Sequence, residues 1–129
     1  MNTIYTTNEV NEIVTTIYLQ IKHTTNVSVL LSWGLSGRYA TIYNDMPTLA
    51  LRVSGLKHKG WVMVAYDEGN DCYEVYTTNL KGVVKKHIEN VYFDELGKTI
   101  DELVERGENM SDAKYLQKAM TDSHKKMMN

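Results

Sequence analysis

Four stretches decide how this chain folds: Pro47-Thr-Leu-Ala-Leu-Arg-Val-Ser54, Gly60-Trp-Val-Met-Val-Ala-Tyr66, Cys72-Tyr-Glu-Val-Tyr76 and Val83-Val-Lys-Lys-His-Ile-Glu89. Short polar breaks separate them, and most show a period of two, which is the period of a β-strand. In the first, Leu49, Leu51 and Val53 share one face, with Ala50, Arg52 and Ser54 on the other. The second is apolar on both faces, Val62, Val64 and Tyr66 against Trp61, Met63 and Ala65, as in a central strand covered on each side. Tyr73 and Val75 continue the inward face, while Cys72, Glu74 and Tyr76 point out. In the fourth, Val84 and Ile88 read as inward, with Val83, Lys85, His87 and Glu89 outward. Lys86 interrupts that pattern and predicts an edge strand or a bulge.

The pattern extends upstream. Val27, Val29, Leu31 and Trp33 alternate with Ser28, Leu30 and Ser32 and predict a strand. Gly34-Leu-Ser-Gly37 then reads as a hairpin turn, Arg38 to Tyr43 as the returning strand, and Asn44-Asp-Met-Pro47 as a further turn. Residues 7–22 break the alternation. Val10, Ile13, Val14, Ile17, Tyr18 and Ile21 recur at helical spacing, and Thr6-Thr-Asn-Glu9 fits a capping box.

Downstream, Asp94 is placed to cap a helix over about 95–106 with Leu96, Ile100, Leu103 and Val104 on its apolar face. Gly97 weakens that helix by about 1 kcal/mol relative to alanine, and Gly107 is placed to stop it. Ser111 is placed to cap a final helix through Ala113, Leu116, Met120 and Met127, with a frayed end. The expected fold is α+β: an N-terminal helix, a largely antiparallel meander of about six strands, then two C-terminal helices. No repeat or long linker divides residues 1–129, so one domain is expected.

Composition narrows the function classes. The chain has 129 residues and a net charge of −2, so it has no global attraction for nucleic acid or acidic membranes. One cysteine, Cys72, makes neither an internal disulfide nor a Cys-based zinc site. No apolar run approaches the roughly 18 residues of a membrane span. The first residues lack the pattern of a signal peptide, and a cytoplasmic protein is expected. Nine tyrosines stand against one phenylalanine, which places many aromatics at boundaries or interfaces rather than in a dry core.

No residue pattern carries specific chemistry. His23, His58, His87 and His124 lack helical metal-ligand spacing, and structural or exposed roles are expected for them. Asp67, Glu68, Asn70 and Asp71 crowd one loop without the twelve-residue order of a calcium loop, and a polar turn explains them. Cys72 and His87 form the minimum of a thiol nucleophile, with no third orienting group. Gly34-Leu-Ser-Gly37 leads into a strand and lacks the Lys-Ser/Thr of a phosphate loop. No metal, cofactor or catalytic residue is therefore assigned.

What remains is a face. Tyr39, Tyr43, Arg52, Trp61, Tyr76 and Lys85 fall opposite the first helix if the alternation holds, and these residue types supply interface hot spots. The expectation is a non-enzymatic macromolecule-binding protein acting through that tyrosine-rich sheet face. Its small size is compatible with an accessory or inhibitor protein of a phage or mobile element. A protein partner is expected, a homodimer being one form of it, and no membrane. The alternative is a single-stranded nucleic-acid-binding protein. For that, Arg38, Arg52, Lys57, His58, Lys59, Lys81, Lys85, Lys86 and His87 make the sheet region basic.

Overall fold

The computed structural model describes residues 5–105. Its architecture is α+β. Helix α1 (Thr7–Thr24) is followed by a short α2 (Val27–Ser32), a five-stranded sheet and a helix α3 (Leu96–Val104). The strands are β1 (Gly37–Tyr43), β2 (Met46–Ser54), β3 (Lys59–Asp67), β4 (Cys72–Thr78) and β5 (Val84–Val91). They lie in the order of the sequence, and all four pairings are antiparallel, so the sheet is a simple meander.

Helix α1 starts where the capping box places it. The Thr6 side chain accepts from the Glu9 N–H at 3.1 Å, and the Glu9 carboxylate accepts from the Thr6 N–H at 2.9 Å. Val10, Val14, Ile17 and Ile21 form the buried stripe. They pack on Leu49, Leu51, Val53, Val62, Val64, Tyr73 and Val75, the inward side chains of the three central strands. The core is thus one helix stripe on one sheet face, closed by Leu96, Ile100 and Val104 of α3.

The sheet has five strands rather than six, because Val27–Ser32 is helical. Its apolar residues suit both periods. The Asn26 side chain accepts from the Ser28 N–H at 2.9 Å and caps a helix. The chain then buries Val29, Ser32 and Trp33 at three- and four-residue spacing, leaving Val27 and Leu31 exposed. Gly34-Leu-Ser-Gly37 is consequently a helix-to-strand link, not a hairpin turn. Gly34 has φ +63°, and a Cβ there would stand 2.7 Å from the Ser54 carbonyl oxygen.

Asn44 and Asp45 both have positive φ, 49° and 63°, and join β1 to β2 by a two-residue turn of the kind that suits strand twist. Strand β5 is an edge strand whose register shifts twice against β4. One shift lies beside Lys86, where the pattern had broken. It sets Val84 opposite Thr78, an outward position, so Val84 does not face the core. Ile88 is 39% exposed at the edge, and Val91 fills the core position instead.

Asp94 does not cap α3. A 3-10 turn over Phe93–Glu95 precedes the helix, and Glu95 occupies the cap position without a side-chain hydrogen bond. Gly97 has a packing role: the Gly97 N–H donates to Thr24 Oγ1 at 3.3 Å, and a Cβ there would press into Thr24 and Thr25 at the end of α1. The stop at Gly107 and the final helix from Ser111 lie outside the described residues. Among the described residues, no helix is long and apolar enough to cross a membrane.

Candidate functional site

The outer sheet face carries two aromatic groups, each assembled across strands. The first lies on β1, β2 and β3. Arg52 pairs with Trp61 in the register, and its guanidinium lies 5.9 Å from the centre of the indole. Tyr39 meets the same indole edge-to-face at 5.7 Å between ring centres. Arg52 is exposed, Tyr39 is 58% exposed and Trp61 is half-buried. This group presents two rings and a cation to its surroundings.

The second group spans the sheet. Tyr43 of β1 and Tyr76 of β4 meet edge-to-face at 4.9 Å, although two strands lie between them. Thr48 and Ala65 are cross-strand partners on those two strands, and both are fully buried. Their small side chains leave room for the tyrosines to lean together. Tyr76 then stacks on the His87 ring at 4.1 Å, and His87 Nε2 is 2.8 Å from Glu74 Oε1. Tyr76 is 5% exposed, so it is part of a packed layer and not a free contact residue. Burial pushes its phenol above the usual range.

The six residues named from the alternation therefore separate. Tyr39, Arg52 and Trp61 form the open group. Tyr43 and Tyr76 form the packed one. Lys85 stands on exposed β5 at the register shift, two residues before His87.

Two members of the basic set in the β2–β3 loop, Lys57 and His58, are engaged within the fold, while Lys59 is exposed. The Lys57 ammonium donates to the Glu102 carbonyl of α3 at 2.6 Å. His58 is buried, with Nε2 3.1 Å from the Trp61 carbonyl oxygen. Arg38 turns to the other side of the sheet, with its guanidinium 4.1 Å from the centre of the Tyr18 ring of α1. Lys57, His58 and Arg38 thus each make a contact within the fold.

Cys72 and His87 are on neighbouring strands but do not meet. The register sets His87 opposite Tyr76, and Cys72 Sγ instead lies 3.7 Å from Asn90 Oδ1. Burial, and then the carboxylates of Asp67, Glu74 and Asp71, push the Cys72 thiol up, which disfavours the thiolate. The acidic loop is hydrogen-bonded within the fold: Asp67 accepts from the backbone and side chain of Asn70, Asp71 accepts from the Tyr66 hydroxyl, and Glu68 accepts from the Tyr5 hydroxyl.

One donor set was not visible in the linear sequence. Glu74 of β4 and His87 and Glu89 of β5 bring an imidazole nitrogen and two carboxylates within 4.8 Å of one another. The signal is strand alternation combined with cross-strand register, and the second half of it exists only in the fold. The set has the donor types of a divalent-ion site, but His87 and Glu89 are exposed and the Glu74–His87 hydrogen bond accounts for the pair. No family model, curated protein or solved structure matches the chain.

Proposed function

We propose that the chain is a non-enzymatic binding protein that docks on another protein through the Tyr39–Arg52–Trp61 end of its outer sheet face. The observation that supports this reading is the exposure of Tyr39 and Arg52 beside a half-buried indole. Rigid aromatics with an arginine at their rim are the types that dominate interface energetics. The Tyr43–Tyr76–His87 layer joins β1 and β4 beside that group on the same face. The proposal extends to the kind of protein, an accessory or inhibitor of a phage or mobile element acting in the cytoplasm. That extension rests on chain length and the sequence patterns alone.

Single-stranded nucleic acid is the second reading. An exposed tyrosine and an arginine beside an indole also suit base stacking. Glu74 and Glu89 on β4 and β5, and the engagement of Lys57 and His58 within the fold, favour a protein partner.

The test compares the wild-type chain with a Tyr39→Ala/Arg52→Ala variant in affinity purification from the native host, with protein and nucleic acid both quantified. The expected result is loss of a defined protein from the variant, with the thermal midpoint nearly unchanged because both side chains are at the surface. Capture that is identical for both chains would refute the proposal. Recovery of oligonucleotides whose affinity falls steeply with salt would favour the second reading.

A further inference from the structure

On the opposite side of the sheet, a cleft of about 360 Å³ opens between α1 and the β3–β4 hairpin. Glu12, Thr16 and Gln20 line it from α1, and Tyr66, Asp71 and Tyr73 line it from the hairpin. Its volume is that of a small-ligand site.

The hydrogen bonds around the cleft determine what it can offer. The Thr16 hydroxyl donates to the Glu12 carbonyl at 3.1 Å. The Tyr66 hydroxyl donates to Asp71 Oδ1 at 2.8 Å, and the Tyr73 hydroxyl donates to Gln20 Oε1 at 2.6 Å. Each hydroxyl hydrogen on the wall is thus committed to the protein. What faces the cleft is lone pairs, the carboxylates of Glu12 and Asp71, and two phenol rings 5.6 Å apart. Among the described residues, no Lys, Arg or His lines it, and the Gln20 amide is the remaining side-chain donor.

An anion would meet repulsion here. A neutral polyol would find acceptors but few donors for its own oxygens. An alkylammonium ion brings only donors, and its carbon chain has Ile13 and the phenol faces to lie against. Tyr73 is 6% exposed, so its part of the wall is anchored in the core.

We propose that this cleft binds a small aliphatic di- or polyammonium cation, with one ammonium group between Glu12 and Asp71. The site is independent of the outer face. The test is calorimetric titration and proton NMR of the full chain with 1,4-diaminobutane and spermidine, with 1,4-butanediol as the uncharged match. The expected result is saturable single-site binding of the amines that shifts the Tyr66 and Tyr73 ring signals, and no binding of the diol.

Glu12→Gln and Asp71→Asn should each weaken the amines about tenfold, the size of one charge-assisted hydrogen bond. Both variants should keep the fold. Glu12 is on the exposed side of α1, and Asp71 has φ +48°, where asparagine is as well tolerated as aspartate. Absence of saturable binding, equal binding of the diol, or amine binding that survives both variants would each overturn the proposal. The last would show diffuse attraction to an acidic chain.

Discussion

The indole N–H of Trp33 donates to a carboxylate oxygen of Asp101 at 2.8 Å, inside the core and across 68 residues of chain. Trp33 is fully buried, and Asp101 is 5% exposed. The bond ties the end of α2 to α3, two elements that flank the sheet in sequence. Trp33→Phe removes one hydrogen-bond donor of a buried carboxylate and reduces the volume of a fully buried side chain. A loss of about 2 kcal/mol or more is expected. Trp61→Phe, at a half-buried position on the outer face, should cost clearly less. Urea denaturation of the two variants decides it, and equal losses would mean that the bond contributes little.

The stripe of α1 makes a second expectation. Ile17 has no exposed surface and sits among the inward side chains of the sheet. Ile17→Ala should cost about 2–5 kcal/mol, as for truncation of a buried aliphatic side chain. The denaturant midpoint should fall while the slope of the transition stays the same. A near-neutral result would show that the helix does not close the core.

The parts of the fold that local patterns specify were legible before the structure. Val10, Val14, Ile17 and Ile21 define α1, and the alternation through Leu49–Val53, Val62–Tyr66 and Tyr73–Val75 defines the sheet. Residues 27–33 were not legible, because a short run with almost every position apolar satisfies both periods. The cap at Asn26 and the burial of Trp33 against Asp101 decide for helix there, and the second of these is tertiary. The candidate face divides in the same way. Alternation alone places Tyr39, Arg52 and Trp61 on one side. It does not show that Tyr43 and Tyr76 lean across two strands, or that Tyr76 is buried by doing so.

Gly97 gives a case in which helix propensity and packing oppose each other. By propensity, Gly97→Ala in α3 should stabilise by about 1 kcal/mol. In the structure a new Cβ would lie 2.8 Å from the Thr24 carbonyl oxygen and closer still to Thr25 Oγ1. Backbone at the end of α1 cannot step aside as a flexible side chain would. Gly97→Ala should therefore lower the thermal midpoint, and a rise would show that the two helix ends are not in contact.

The Tyr66 phenol supplies a pH dependence with a definite sign. Its hydrogen bond to Asp71, then burial, then the Asp71 charge push it from 10.0 up to about 12. Between those values the folded state holds the proton and the unfolded chain releases it. The folded state is then the more protonated one, so stability falls as pH rises through the window and is fully present below it. Tyr5, Tyr73 and Tyr76 are also raised and act in the same direction. Urea midpoints measured from about pH 9 to pH 12 should decline, and Tyr66→Phe should flatten part of that decline. Asp71→Asn should bring one tyrosine back toward the ordinary range in a 295 nm absorbance titration, at about 295 nm being where tyrosinate absorbs and tyrosine does not. Identical slopes for wild type and Tyr66→Phe would mean that the hydroxyl is not held by Asp71, and the acceptor-lined wall of the cleft would lose one of its three committed hydrogens.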